Sequence, residues 1–242
     1  MKGCPLSCWW CHNPEGLSPE PEEIIQKNRV GEKEFGKKTI VGKSYEVNDV
    51  MAVLSRERVF IEKSGGGVTF SGGEPLMQPE FLLDVLMACK EEGYHTAVDT
   101  SGYYPAERLK KIIPFTDLFL YDLKHPDPVK HLFYTGVSSD QVMINLKLIL
   151  EKGTDIMIRI PVIPGINDSE DDLAGFMKII MSHKSDNIRM INLLPFHKIG
   201  SSKYKKFNRP YRMEGYAQPS QKRMDEIRGY FDTTGIKVKI GG

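Results

Sequence analysis

From residue 48 onward, the chain alternates between two spacings of apolar residues. Helical spacing runs over about 48–63, with Val50, Leu54 and Ile61 among the apolar positions. A glycine turn and a short apolar run, "GGGVTF", follow and predict a buried strand. "PEFLLDVLMACKEEG" predicts a helix stopped by Gly93, and "YHTAVD" a strand. "PAERLKKII" opens a helix at Pro105, and "DLFLYDL" is a strand. "SSDQVMINLKLILEKG" predicts a helix with a serine cap region, and "IMIRIPVI" a strand. "SEDDLAGFMKIIMSH" is a helix, "IRMINLLPF" a strand, "PSQKRMDEIRGYFDTTG" a helix and "IKVKI" a last strand. Strands alternating with helices give a parallel sheet covered by helices. Five strands precede the last helix and one follows it. A doubly wound sheet and a full or partial barrel both fit, and periodicity does not choose between them. The stretch 18–46 is polar and charged without a sustained period, and is expected as a loop excursion.

Polar and glycine residues gather just after the strands. "SGGEP" follows "VTF", "DTSG" ends "YHTAVD", and "DLK" ends "LFLYDLK". Arg159 and "IPG" belong to the next strand, and His197 follows "NLLPF". Ligands of parallel α/β folds bind at the carboxyl ends of strands, so five segments aim at one site.

Composition narrows the functional classes. With 242 residues the chain can bury a sizeable core, and its net charge of +1 gives no field towards nucleic acid or an anionic membrane. No run of eighteen apolar residues predicts a membrane span. No signal-peptide pattern precedes Cys4, which points to the cytoplasm, where thiols stay reduced. There are four cysteines. Cys89 reads as helix core. Cys4, Cys8 and Cys11, at C-x3-C-x2-C, read as metal ligands. A zinc site would need a fourth ligand, and His12, adjacent to Cys11, is poorly placed to reach the same ion. Three thiolates on a four-iron cluster would leave one iron open for a small molecule, with Pro5, Trp9 and Trp10 as shielding.

This cysteine spacing beside an aromatic residue resembles the signature of the radical S-adenosylmethionine superfamily. "KGCPLSCWWCHNPE", "SGGGVTFSGGEPL", "GYHTAVDTSGY", "DLFLYDLKH", "HLFYTGVS", "IRIPVIPGIND" and "INLLPFHKIGSSKY" resemble its glycyl-radical-enzyme activating enzymes over nearly the whole chain. They are most similar to those of the pyruvate formate-lyase type. The resemblance implies a partial (β/α)6 barrel in one radical S-adenosylmethionine domain. It also implies a 4Fe-4S cluster held by Cys4, Cys8 and Cys11, whose open iron chelates S-adenosylmethionine. Cleavage by one electron then gives a 5′-deoxyadenosyl radical that abstracts a hydrogen atom from a partner's glycine. The implied partner is a glycyl radical enzyme, pyruvate formate-lyase first, and the implied electron donor a flavodoxin or ferredoxin. Neither nucleic acid nor membrane is expected as a partner.

Residue by residue, the resemblance assigns Trp10, Cys11 and His12 to the segment that also touches S-adenosylmethionine. It gives Gly73 and Glu74 to the backbone motif at the methionine amino group, and Asp122, Leu123 and Lys124 to the pocket wall. Arg159, mid-strand, needs an anionic partner: the methionine carboxylate or a structural carboxylate. His197 is expected at the cofactor. Asp99, Thr100 and Asp122 match positions of a weak monovalent cation site. The basic, aromatic stretch "HKIGSSKYKKFNRPYRMEG" is expected near the barrel mouth, where a partner's loop docks. The chain departs from the resemblance twice. A strand with Gly-Pro-Gly-x-Arg is expected before the cysteine loop and does not occur, so the barrel is expected to lack its first strand. No cysteine lies in 18–46, so a single cluster is expected.

Overall fold

The computed structural model describes residues 1–30 and 33–241, with the side chains of 26–30 and 33–35 left aside. Six parallel strands form one sheet in strict chain order. They are β3 (Val68–Phe70), β4 (Thr96–Thr100), β5 (Leu118–Asp122), β6 (Asp155–Val162), β7 (Ile188–Pro195) and β8 (Val238–Ile240). A doubly wound sheet reverses its strand order at a switch point. No reversal occurs here, so successive crossovers of one hand carry the helices to one face and the sheet curls into an open barrel wall. Among the described residues β3 and β8 are the edges and do not pair, so the barrel is partial.

Four helices bury residues at the spacing the sequence showed. In α2 (Pro79–Glu91) these are Leu82, Val85, Leu86 and Cys89, and in α5 (Asp140–Glu151) Val142, Asn145, Leu146 and Ile149. In α6 (Glu170–Ser182) they include Leu173, Phe176 and Ile180, and in α8 (Gln221–Asp232) they are Met224, Ile227 and Phe231. Ser169 and Ser220 cap the last two by accepting the N–H of Asp172 and Arg223. α1 (Val47–Ser64) buries no residue fully; Val50, Met51, Leu54 and Ile61 only lean on the core. α3 (Ala106–Ile112) completes the wall. Strand β6 alternates strictly: Ile156, Ile158, Ile160 and Val162 are buried under helices, while Arg159 shares the opposite, concave face with Asp122 of β5 beside it.

Three features lay outside the sequence pattern. Residues 18–46 are not an irregular loop: β1 (Glu22–Val30) and β2 (Lys33–Val41) pair as an antiparallel ribbon, separate from the main sheet. Its apolar side chains Ile25 and Ile40 are exposed, so it lacks the half-buried alternation that reveals a strand. α4 (Pro128–Thr135) and α7 (Ser201–Lys206) are short helices with no apolar stripe facing the core.

The outer edge of β3 faces a groove of about 710 Å³ lined by Val68, Thr69, Phe70, Met1, Tyr45 and Val50. An unpaired strand edge leaves backbone donors and acceptors without ladder partners. A strand-forming segment of about five or six residues joined ahead of Met1 is expected to seat there. Each kcal/mol gained should raise Tm by about 2–4 °C in a chain of this size. Coincident melting curves for the two chains would show that the groove accepts no strand.

Candidate functional site

The cysteine loop is suspended over the open end of the sheet by main-chain hydrogen bonds on two sides. On one side, the N–H groups of Gly73 and Glu74 donate to the carbonyls of Met1 (2.8 Å) and Gly3 (2.7 Å). On the other, the N–H groups of Ser7 and Trp9 donate to the carbonyls of Thr135 (2.8 Å) and Tyr134 (3.1 Å) at the end of α4. Gly3 and Cys4 also donate to Gly16 and Leu17 (2.9 and 3.2 Å). Only glycine fits at position 73, because a Cβ there would overlap the carbonyl oxygens of Gly3 and Gly16.

Beneath this loop lies a cavity of about 450 Å³, within the range of small-molecule sites. Cys4, Cys8 and Cys11 line it from above. Asp99, Asp122, Lys124 and Arg159 line it from the strand ends, and His12 and His197 close one side. Gly73, Thr100 and Trp10 also reach it. Two predicted residues do not line it. Leu123 is buried in the core and continues the ladder to Arg159 (N–H to O, 2.8 Å). Glu74 turns its carboxylate away, to accept from Thr100 Oγ1 (2.9 Å), Ser101 N (2.8 Å) and Ser101 Oγ (2.6 Å). Nor do the Gly73 and Glu74 N–H groups await a ligand, since they carry the cysteine loop; a substrate ammonium would need carbonyl oxygens instead.

The charged groups form one chain along the cavity floor. Arg159 Nη1 meets Asp99 Oδ1 at 2.6 Å, and its Nε lies 3.6 Å from Asp122 Oδ1. Lys124 Nζ bonds Asp122 Oδ2 at 2.8 Å, and Ser71 Oγ bonds Asp99 Oδ2 at 2.9 Å. Burial, followed by the neighbouring Asp122 carboxylate, pushes Asp99 up despite its arginine. Lys124 is held firmly charged: Asp122 and the nearby thiols of Cys8 and Cys4 outweigh its burial. Arg159 thus has structural carboxylates as partners. The cation expected at Asp99, Thr100 and Asp122 finds its charge supplied by Arg159, and Thr100 Oγ1 is engaged with Glu74.

Burial pushes the Cys4 thiol up to about 11 and that of Cys8 up to about 12, and it raises Cys11 as well. Ionised, the three thiols would need compensating charge, which Lys124 offers to Cys4, Cys8 and Cys11 alike. Among the described residues no three His, Cys, Asp or Glu side chains converge on a single ion. Thiols spread around a cavity suit a cluster of several irons better than one tetrahedral zinc. Asp122 Oδ1 has no hydrogen-bond donor although buried, and is a free acceptor in the wall for an ammonium or hydroxyl group. The donor set therefore fits an iron–sulfur cluster with a polar, cationic co-ligand. Trp10 packs with Ile163, Ile166, Phe196 and Met213 into a small second core under the loop, which excludes water there. His12 Nε2 donates to the His197 carbonyl (2.9 Å), which fixes its tautomer, and burial lowers its pKa so that it stays neutral.

A profile of the radical SAM superfamily matches residues 1–177. The chain belongs to this superfamily. Its relatives are activating enzymes. The trans-4-hydroxy-L-proline dehydratase activating enzyme of Clostridioides difficile is 35% identical over all of this chain and 92% of its own length. The pyruvate formate-lyase-activating enzyme of Clostridium pasteurianum is 34% identical over 95% of this chain and 87% of its own. Among solved structures, a domain of pyruvate-formate lyase-activating enzyme from Bacteroides vulgatus superimposes with a TM-score of 0.62 at 32% identity. That match covers 73% of this chain and 99% of the domain. Within the superfamily the chain is thus a member of the glycyl-radical-enzyme activating family, which uses a 4Fe-4S cluster and S-adenosylmethionine.

Two serines of the cavity lie in the strand-end segments "SGGEP" and "DTSG" but were not named as site residues. Ser71, which orients Asp99, and Ser101, which anchors Glu74, both line it. Each directly follows a strand, so the strand-end rule that selected Asp122 would have found them.

Two predictions arise here. Gly73→Ala is expected to unseat the cysteine loop and to lower iron content after reconstitution several-fold, while helical circular dichroism persists. Normal iron loading would show that the loop tolerates the overlap. Burial pushes Glu74 up to about 7 against the four hydrogen bonds it accepts. The unfolded carboxyl ionises near 4.5, so between these values the folded chain holds the extra proton. Stability from this group is therefore present below about 4.5 and falls, by up to about 3 kcal/mol, as pH rises through about 7. Urea unfolding of Glu74→Gln should lack that decline; equal slopes in both proteins would refute it.

Proposed function

We propose that this chain installs the radical of a glycyl radical enzyme, with pyruvate formate-lyase as the first target. The observation that carries the reading is the single cavity in which three cysteines face a floor of paired charges at the mouth of an open barrel. Alignment lengths favour this target. The hydroxyproline-type relative needs 279 aligned positions against the 242 residues of this chain, so it carries at least 37 residues with no counterpart here. The pyruvate formate-lyase-type relative aligns over 230 positions spanning 95% of the chain, essentially without insertion. A chain with three clustered cysteines and no further cysteine near them has ligands for one cluster.

When bound, the reduced cluster and S-adenosylmethionine supply a carbon-centred radical that removes one hydrogen atom from the target glycine. The residues of this chain hold and position. Cys4, Cys8 and Cys11 bind the cluster, and Lys124 offsets their negative charge. Asp122 Oδ1 would accept a hydrogen bond from bound S-adenosylmethionine, and Arg159 holds Asp122 and Asp99 in place through its ion pairs. Neutral His12 ties the end of the cysteine loop to the end of β7, so that the two walls move together. The second core around Trp10 keeps water from a reactive intermediate. The turn Lys198–Gly200, with Ile199 exposed at 73%, borders the mouth where the partner's glycine loop lands. No helix of the described residues is long and apolar enough to cross a membrane. A cytoplasmic setting matches the reduced thiols that the site requires.

The decisive experiment is anaerobic reconstitution with iron and sulfide, then reduction and addition of S-adenosylmethionine and pyruvate formate-lyase. Expected are about four irons per chain, 5′-deoxyadenosine, and a glycyl-radical doublet in the electron paramagnetic resonance spectrum. Cofactor cleavage with no doublet on pyruvate formate-lyase, but one on trans-4-hydroxy-L-proline dehydratase, would move the target. An absence of cluster and cleavage would overturn the reading.

A further inference from the structure

Strand β6 outruns its neighbour β5. The ladder between them ends at the pair Asp122 and Arg159, followed by one more bond from the Leu123 N–H to the Arg159 carbonyl (2.8 Å). β6 continues to Val162, whose carbonyl accepts the Phe196 N–H on the β7 side (3.0 Å). Carbonyls along a strand alternate between its two neighbours. The Pro161 carbonyl therefore faces the side that β5 has already left, and the Lys124 carbonyl, two residues past β5, is likewise beyond the ladder. Main-chain groups so placed need another donor.

One side chain serves both. Asn167 Nδ2 donates to the Pro161 carbonyl (2.6 Å) and to the Lys124 carbonyl (3.1 Å). Its Oδ1 accepts the Ile163 N–H (2.8 Å). The carboxamide stands in for the missing stretch of strand. Asn167 is 1% exposed and does not line the cavity, yet all three residues that it bonds do. A second bond runs the other way: His125 Nε2 donates to the Ile166 carbonyl (3.0 Å), while its Nδ1 accepts the Asp127 N–H (3.1 Å). The loops after β5 and β6 are thus stitched together in both directions.

The consequence lies at Lys124. Its ammonium bonds Asp122 at 2.8 Å, close to the thiols of Cys4 and Cys8. A lysine stem is long and flexible, so its head is placed only as well as its main chain is. Pro161 and Ile163 form an apolar part of the same cavity. One amide sets how far these two parts stand apart. We propose that Asn167 is a positioning residue for S-adenosylmethionine, holding the Lys124 and Pro161–Ile163 sides of the cavity at the spacing the cofactor fits. The proposal rests on the reading of this cavity as the cofactor's. Aspartate at 167 would turn an oxygen towards two carbonyls, and alanine would leave three main-chain groups unpaired.

The test uses the full chain reconstituted with iron and sulfide, as parent, Asn167→Ala and Asn167→Asp. Calorimetric titration with S-adenosylmethionine reads affinity without turnover. Iron per chain should match the parent, because the cysteine loop is fastened elsewhere, at 73–74 and 134–135. Kd should rise about tenfold in Asn167→Ala, and further in Asn167→Asp. In cofactor cleavage driven by dithionite, KM should rise with Kd while kcat stays within about twofold of the parent. An unchanged Kd in variants with normal iron would overturn the proposal. So would a lowered Tm or iron content with unchanged affinity in the loaded fraction, or failure of both variants to fold, since either result assigns Asn167 to the fold alone. A parent that binds no S-adenosylmethionine would overturn this inference and the reading of the cavity together. Neither measurement needs a glycyl radical enzyme, so a wrong choice of target leaves the test intact.

Discussion

Everything at this site depends on a loop without regular structure being held still over the end of a sheet. The residues from Met1 to His12 form no helix or strand, and three of them are the cysteines. Loops lose more entropy on ordering than regular elements do, and a ligand set must stay fixed to within a fraction of an ångström. The solution is a two-sided main-chain clamp, with Gly73 and Glu74 donating from one strand end and Thr135 and Tyr134 accepting from a helix end. Glu74 links the clamp to the sheet, because its buried carboxylate ties β3's end to Thr100 and Ser101 at the end of β4. Glycine at 73 and an acidic side chain at 74 thus serve one purpose: the first lets the loop approach, and the second locks the approach to the barrel.

The electrostatics follow from that arrangement. Placing thiols and carboxylates round one partly buried cavity would be costly if each stood alone, because desolvation penalises every charge. The chain Asp99–Arg159–Asp122–Lys124 alternates in sign across three adjacent strands and the loop after β5, so each charge has an opposite neighbour. Strand register makes this possible: Asp122 and Arg159 are direct partners on β5 and β6, and Asp99 pairs with Leu120 two residues earlier on the same face. Within the network Asp122 Oδ1, 3.6 Å from Arg159 Nε, accepts no hydrogen bond and is free to take one from a ligand.

The parallel sheet, its six strands and the helices of the core were legible because their apolar residues obey a single period and are buried as that period demands. The site was legible for a second reason: chemistry-bearing residues sit just after strands in segments with fixed spacing. What stayed hidden follows its own physics. Among its described side chains, at 22–25 and 36–41, the ribbon β1–β2 buries none, so these offer no pattern to read. α4 buries a histidine and a threonine and exposes its apolar residues, which inverts the signal by which amphipathic helices are recognised. Gly73 and Glu74 were read as a backbone motif at the ligand, and sequence does not show that their N–H groups hold the cysteine loop or that the Glu74 carboxylate turns towards Thr100 and Ser101. Arg159 was left with two possible partners, and only the register of β4 to β6 showed that two carboxylates stand beside it.

The open barrel is itself a functional statement. A closed eight-stranded barrel fills its interior with side chains and leaves only loops at the top for chemistry. Six strands that do not close leave the concave face reachable from the side, and here that face carries half-buried residues such as Met157 and Arg159 rather than a packed core. A small metabolite would not require this access. A peptide loop does, because it must enter with its backbone extended and still be attached to a folded protein at both ends. Glycine suits such entry, since it has no side chain to clear the wall. The same openness explains why the second core around Trp10 matters: with one flank of the barrel unsealed, water must be excluded locally, at the loop that holds the thiols.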